Sequence, residues 1–127
     1  MRQTTATTAV LAEDDFLVSR EIARALKQAG CTVVATAPTG EKAVELTRDH
    51  RPDVVVMDIQ MPKMDGMTST KAIRDYGFDK VPIVAMTAHA MKGDREKCID
   101  AGANEYLVKP VQLHQLNAII QRLLMNG

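Results

Sequence analysis

The chain has 127 residues, of which 46% are apolar and 25% are charged, a profile typical of one soluble globular domain. Its 16 acidic and 16 basic residues balance, so it lacks the basic excess that direct nucleic-acid binding usually shows. No apolar run approaches the roughly 20 residues of a membrane span, and the start lacks the apolar stretch of a signal peptide. We therefore expect a cytoplasmic domain over residues 10–127, preceded by a disordered lead or linker over residues 1–9.

The first part of the chain alternates between two periodicities. Residues 10–12 and 31–37 are short apolar runs with β-branched side chains, the composition of buried strands. Between them, apolar residues recur at intervals of three and four up to Gly30, which predicts an amphipathic helix. Residues 41–50 predict a second helix that begins near residues 39–40.

The remaining chain repeats this alternation three more times. Five βα units whose strands lack polar alternation indicate a parallel sheet buried on both faces. We predict a flavodoxin-like, doubly wound α/β fold, (βα)5, with strand order 2-1-3-4-5. The fourth helix contains Gly93 and few apolar anchors, so it should be the least stable element. The further strands are predicted at residues 54–57, 83–86 and 106–108, and the further helices at residues 65–76, 91–101 and 113–124.

Acidic residues follow the first and third predicted strands. In an open α/β sheet, ligands bind beyond the carboxyl ends of the strands, where the strand order reverses. Glu13, Asp14 and Asp15 follow the first strand, and Asp58 follows the third. Carboxylates brought this close repel, so they should bind a cation or hold extra protons. Their oxygen donors favour Mg²⁺ or Mn²⁺ over zinc, although Asp14 or Asp15 alone could equally cap the first helix.

Two more polar residues end the fourth and fifth predicted strands. Thr87 carries a hydroxyl that can donate a hydrogen bond to a phosphoryl oxygen. Lys109 can neutralise a carboxylate or a phosphoryl group as a point charge. Taken singly, Thr87 is an ordinary strand residue and Lys109 an ordinary surface lysine. Together with the acids they favour phosphate chemistry in one crevice.

Four motifs in this order resemble the receiver domain of response regulators in two-component systems, over residues 10–125. The stretch at residues 87–94 is most similar to receivers of hybrid histidine kinases, although stand-alone receivers share it. The motifs are Leu-Ala-Glu-Asp-Asp at 11–15, Pro-Asp-Val-Val-Val-Met-Asp-Ile-Gln-Met-Pro-Lys-Met-Asp-Gly at 52–66, Pro-Ile-Val-Ala-Met-Thr-Ala at 82–88 and Gly-Ala-Asn-Glu-Tyr-Leu-Val-Lys-Pro at 102–110.

The resemblance implies a phosphorelay function. Asp58 would take a phosphoryl group from a phosphohistidine, carried by a sensor histidine kinase or a histidine phosphotransfer protein. Asp14 and Asp15 would hold Mg²⁺, directly or through water, together with Asp58 and the backbone carbonyl of Gln60. Lys109 would contact Asp58 and then the phosphoryl group. Such a domain is a regulatory phosphoacceptor that catalyses only its own phosphorylation and dephosphorylation.

The resemblance also implies a switch. Thr87 would move toward the phosphoryl oxygen, and Tyr106 would change rotamer in step. The side chains of Gln60 and His89 would tune the lifetime of the phosphate by screening or orienting the hydrolytic water. The surface expected to change and to signal is the face made by the fourth helix, the fifth strand and the last helix. Whether the domain forms a dimer on phosphorylation is not decided by the resemblance. In the family the Lys109–Pro110 peptide bond is cis.

Three other functions fit the sequence less well. An inactive pseudo-receiver that acts only as a protein-interaction module would not need the complete set of acids, threonine and lysine. A phosphatase of the haloacid-dehalogenase type carries a second acid two residues after its nucleophile, where this chain has Gln60. Flavin binding would be opposed by the acidic residues 13–15. The residues leave open whether the chain is a stand-alone regulator or a domain of a hybrid kinase or longer regulator.

Overall fold

Five strands and five helices alternate along the part of the chain that the computed structural model describes, residues 7–61 and 63–126. The strands form one parallel sheet in the order β2-β1-β3-β4-β5, which confirms the predicted fold. Within those residues no helix is both long and apolar enough to cross a membrane. In chain order the elements are β1 (Thr7–Ala12), α1 (Phe16–Gln28), β2 (Cys31–Ala37), α2 (Gly40–His50), β3 (Val54–Asp58), α3 (Gly66–Asp75), β4 (Ile83–Thr87), α4 (Asp94–Ala101), β5 (Glu105–Val108) and α5 (Leu113–Asn126).

The core lies on both faces of the sheet. β3 is the central strand, and all of its residues are buried. Because successive side chains of a strand point to opposite faces, Val54 and Val56 pack on one side and Val55 and Met57 on the other. The helices contribute Ile22, Leu26, Leu116 and Ile120 on the first side, and Val44, Ile73 and Cys98 on the second.

The outer strand β2 departs from the expected burial on both faces. Thr32, Val34 and Thr36 are exposed, whereas Cys31 and Ala37 are buried. β2 lies at the edge of the sheet, so only part of it packs against the core. β5, at the opposite edge, is also only partly buried, with Val108 exposed. The prediction of full burial therefore holds for the central strands and is wrong for the two edge strands.

The first strand begins earlier than predicted. Residues 7–9, assigned from the sequence to a disordered lead, belong to β1. Thr8 is held by Asp53, because its backbone N donates to Asp53 Oδ2 at 2.8 Å and the Asp53 backbone N donates to Thr8 O at 2.9 Å. These contacts join positions far apart in the chain, so no local pattern shows them. The rest of the predicted lead, residues 1–6, lies outside the described residues.

The fourth helix is shorter than predicted. α4 begins at Asp94 rather than at residue 91, because Gly93 has a φ of 88°, in the left-handed region that glycine adopts most easily. Gly93 supplies no side-chain cap, and of residues 94–101 only Cys98 is buried. α4 therefore has few core contacts, and its low stability stays a prediction.

Candidate functional site

The carboxyl ends of four strands meet at one edge of the sheet. β1, β3, β4 and β5 are parallel, and their backbones pair in register up to this edge. Glu13 follows β1, Asp58 ends β3, Thr87 ends β4 and Lys109 follows β5. The sheet therefore brings together side chains from distant parts of the sequence, as the strand order predicted.

Three carboxylates form a cluster at this edge. Glu13, Asp14 and Asp58 each offer one oxygen, and these oxygens all lie within 4.8 Å of one another. Glu13 and Asp58 are only 5% and 3% exposed, whereas Asp14 is open to solvent. Carboxylate oxygens at this spacing fit a hard cation such as Mg²⁺. Glu13, which the sequence analysis did not assign to the site, is thus one of its most buried members.

Asp15 lies outside this cluster and performs a different role. Its Oδ1 accepts hydrogen bonds from Leu17 N at 2.9 Å and from Val18 N at 3.1 Å, so Asp15 is the N-cap of α1. Glu13 takes its place beside Asp58, because the backbone stays extended beyond β1 and Glu13 N donates to Ala37 O. The structure therefore places Glu13 and Asp14 beside Asp58, rather than the predicted pair Asp14 and Asp15.

Lys109 joins the two buried acids. Its Nζ donates to Asp58 Oδ2 at 3.1 Å and also contacts Glu13 Oε1. Burial lowers the pKa of Lys109, but the hydrogen bonds that it donates to Glu13 and Asp58 outweigh that effect and leave the pKa raised. Burial raises the pKa of Glu13, and the bond from Lys109 opposes this only in part. Lys109 is therefore a protonated cation between the acids. The peptide bond between Lys109 and Pro110 is cis.

Asp58 is held by contacts at both of its carboxylate oxygens. Oδ2 faces Lys109, and Oδ1 accepts a hydrogen bond from Gln60 N at 2.9 Å. The side chain of Gln60 reaches across the crevice, where its Oε1 accepts from Ala88 N at 3.3 Å. Asp58 is thus a buried, oriented carboxylate beside a cation and two further acids. Such a group can act as a nucleophile toward phosphorus.

The predicted switch residues lie on the neighbouring strands β4 and β5, two positions apart in register. Thr87 is buried, and its Oγ1 accepts a hydrogen bond from His89 N at 3.1 Å. Tyr106 pairs with Ala85 across the sheet and packs against the core cluster that includes Cys98 of α4. Its hydroxyl is buried and has no hydrogen-bond partner among residues 7–61 and 63–126. Burial raises the pKa of Tyr106, and the nearby Asp94 carboxylate adds to that shift.

The predicted lifetime-tuning residues lie at the rim. Gln60 and His89 are both exposed, one on each side of the crevice. The structure thus brings together Asp14, Asp58, Gln60, Thr87 and Lys109 as predicted, adds Glu13, and leaves Asp15 at the helix cap.

Comparison with known proteins places this geometry in a family. The family model described as "Response regulator receiver domain" matches residues 9–121. The chain is 38% identical over 112 residues to the transcriptional regulatory protein PdtaR of Mycobacterium tuberculosis. This alignment covers 88% of this chain and 54% of PdtaR. It is 35% identical over 114 residues to the signal transduction histidine-protein kinase BarA of Escherichia coli, covering 89% of this chain and 12% of BarA. The chain therefore spans about half of PdtaR and a small part of BarA.

A solved structure shows the same architecture. The chain is similar to the receiver domain of the sensor histidine kinase PA1611 from Pseudomonas aeruginosa, with a TM-score of 0.86 and 35% identity. The match covers 95% of this chain and 99% of that domain. That crystal structure has a magnesium ion coordinated in its active site cleft. The fold and the acidic crevice thus have a counterpart in a receiver domain that binds Mg²⁺.

Proposed function

Because this chain belongs to the response regulator receiver domain family, we propose that Asp58 is a phosphoacceptor that takes a phosphoryl group from a phosphohistidine. The observation that carries this proposal is the setting of Asp58, a buried carboxylate with Lys109 on one oxygen and the Gln60 amide on the other. Phosphoryl transfer depends mainly on positioning and charge stabilisation, which these contacts supply.

The transfer forms one bond and breaks another. An oxygen of Asp58 attacks the phosphorus while the P–N bond of the phosphohistidine breaks, and its electron pair remains on the imidazole nitrogen. The product is an aspartyl phosphate, a recognised covalent intermediate. Lys109 stands 3.1 Å from Asp58 Oδ2 and offsets the negative charge that the phosphoryl group brings.

The acidic cluster is suited to a divalent cation. Glu13, Asp14 and Asp58 would hold Mg²⁺, with the backbone carbonyl of Gln60 as a further ligand, and Mn²⁺ could substitute. When bound, the ion offsets the charge of the acids and of the incoming phosphoryl group. The three carboxylates and the one ammonium group of Lys109 leave a formal excess of two negative charges. This excess supports the binding of a divalent cation.

The phosphorylated domain would signal through its fourth helix, fifth strand and fifth helix. The new phosphoryl oxygens offer strong acceptors to the Thr87 hydroxyl, which would leave His89 N. Tyr106 would follow, since its hydroxyl has no hydrogen-bond partner among the described residues to hold it in its present position. The exposed Val108 and Leu113 on this face offer apolar surface for a dimer that forms on phosphorylation.

The donor would dock beside Asp58. Phe16 and Leu17 at the start of α1 are 73% and 67% exposed, an unusual position for large apolar side chains. A groove of about 340 Å³ lies between α1 and the segment after β5, with Val18, Val111 and Lys109 in its lining. These surfaces support a sensor histidine kinase or a histidine phosphotransfer protein as partner. The proposal further includes a cytoplasmic regulator without direct nucleic-acid contact or turnover of outside substrates.

Intact mass spectrometry after incubation with acetyl phosphate tests the chemistry. Wild type should gain one phosphoryl group with Mg²⁺ and none with EDTA. Asp58→Asn should gain none, whereas Asp49→Asn, which removes an exposed acid of α2, should behave as wild type. No gain in folded wild type under any condition would leave the interaction-only module as the function.

A further inference from the structure

Arg74, in the last turn of α3, makes a hydrogen bond with each of its five N–H groups. Nη1 donates to the carbonyl oxygens of Phe78 and Val81, both at 2.7 Å. Nε and Nη2 donate to Gly102 O at 3.1 and 2.7 Å, and Nη2 also donates to Asn104 Oδ1 at 2.9 Å. One side chain thus ties α3 to the loop before β4 and to the residue that ends α4.

The network extends into the sheet. Asn104 Oδ1 also accepts from Ile83 N at 2.9 Å, and Asn104 N donates to Ile83 O at 2.8 Å. Gly102 has a φ of 118°, and a Cβ at this position would lie 2.7 Å from Arg74 Cγ. The C-terminal end of α4 is therefore fixed to α3 and to the start of β4 through a guanidinium that fits closely around Gly102.

The N-terminal end of α4 is held much more loosely. Its N-cap, Gly93, has no side chain to bond the first turn. Residues 88–92, which connect it to β4, are exposed. Met91 N donates to Asp94 Oδ2 at 2.9 Å, a contact within the loop and the first turn. Between the two ends, Cys98 is the buried residue of α4.

We propose that Arg74 anchors the C-terminal end of α4, so that any displacement of α4 driven from the crevice is a pivot about Gly102. The Gly93 end moves, and residues 102–104 stay in place. Arg74 is then a positioning residue for the switch, at the opposite end of the strands from the phosphoacceptor. The anchor is a property of the unphosphorylated protein, and only its consequence for signalling rests on the proposed function.

Amide hydrogen exchange followed by NMR tests the anchor without phosphorylation. Gly102 N and Ala103 N donate to the α4 carbonyls of Ile99 and Cys98, so they report on this end of the helix. In Arg74→Met their exchange should rise about tenfold or more relative to the amides of β3, because the bonds that hold Gly102 are lost. Unchanged exchange at Gly102 and Ala103, or an equal rise in β3, would overturn the anchor.

Two further variants keep this test decisive. Arg74→Lys retains the charge and the aliphatic stem but has one point donor group, so it should loosen the same two amides without threatening the fold. If Arg74→Met does not fold, the same exchange measurement is made on Arg74→Lys. Arg48→Met removes an exposed arginine of α2 and should leave both amides as in wild type.

Activation with Mg²⁺ and beryllium fluoride, a phosphoryl mimic, tests the pivot. In wild type, exchange should rise at Lys97 N, which bonds Gly93 O, and stay constant at Ala103 N. In Arg74→Lys the rise should spread to Ala103 N. An equal rise at both amides in wild type would overturn the pivot. Absence of phosphorylation by acetyl phosphate would instead contradict the proposed function. It would not affect the amide-exchange test of the anchor in the unphosphorylated protein.

Discussion

The two ends of the parallel strands differ in how their charged side chains are paired. We call the end with the acidic cluster the carboxyl edge, and the end at which β4 and β5 begin the amino edge. At the carboxyl edge, Glu13, Asp14 and Asp58 face the single cation of Lys109. At the amino edge, every N–H of Arg74 has an acceptor. The first arrangement stores electrostatic repulsion that a cation and a phosphoryl group can relieve, and the second stabilises the fold without any such charge excess. Removing the buried acid Asp58 at the carboxyl edge should therefore stabilise the metal-free protein, whereas loss of the Arg74 contacts at the amino edge should destabilise it.

The largest effect should come from removing the cation at the carboxyl edge. Lys109→Met leaves Glu13 and Asp58 buried without a counter-charge, so the free energy of unfolding without metal should fall by about 3 kcal/mol at pH 8. Urea unfolding in EDTA measures this loss. Added Mg²⁺ should recover part of it, because the ion binds the same acids in the folded state.

An exposed lysine provides the control. The pair of Lys42 and Glu45 lies on the surface of α2, with about half of each side chain open to solvent. Lys42→Met should change the free energy of unfolding by less than about 0.5 kcal/mol. An equal loss in both variants would mean that Lys109 contributes packing rather than charge compensation.

The amino edge should show the next largest effect, through the glycine that Arg74 surrounds. Gly102→Ala combines an unfavourable φ of 118° with a Cβ that meets Arg74, so it should cost about 2 kcal/mol. Gly77→Ala is a matched control, since Gly77 also has a positive φ, 98°, but nothing lies within 4 Å of its Cβ position. It should cost about 1 kcal/mol, from backbone strain alone. Similar losses in the two variants would show that Arg74 yields to the extra methyl group.

A smaller effect of opposite sign is expected at the phosphoacceptor. Asp58→Asn removes one of three clustered acids while Lys109 keeps Glu13 as a partner, so metal-free stability should rise by about 1 kcal/mol. Thermal unfolding in EDTA measures the gain, and titration with Mg²⁺ should show weaker binding. A lower melting temperature in EDTA would mean that the ion pair with Lys109 outweighs the repulsion among the acids.

Most of the fold could be predicted because each buried strand is a short apolar run. The strand order and the positions of Thr87 and Lys109 at strand ends followed from those runs. The early start of β1 could not, since it depends on contacts between Thr8 and Asp53, 45 residues apart. The Arg74 network has no sequence signature either, because four of its five bonds go to backbone carbonyls, which any residue can supply.

The grouping of the residues at the carboxyl edge could be predicted from the sequence, except for the register of the acids. Glu13, Asp14 and Asp15 are adjacent, and composition alone cannot tell which of them point into the crevice. One local signal was present: Asp15 directly precedes α1, the position at which aspartate caps a helix. A capping carboxylate is already bonded to backbone amides, which leaves Glu13 and Asp14 as the acids beside Asp58.

The corrected register makes a final prediction about two neighbouring aspartates. Asp15→Ala removes the cap of α1 and should cost about 0.5–1 kcal/mol of unfolding free energy, with Mg²⁺ affinity little changed. Asp14→Ala should barely alter metal-free stability, because its side chain is exposed, but should weaken Mg²⁺ binding about tenfold or more. Urea unfolding in EDTA and calorimetric Mg²⁺ titration separate the two effects. If Asp15→Ala loses Mg²⁺ affinity as strongly as Asp14→Ala, the Asp15 carboxylate must leave the α1 amides to bind the ion. Asp15 would then belong to the acidic cluster at the carboxyl edge and not only to the cap of α1.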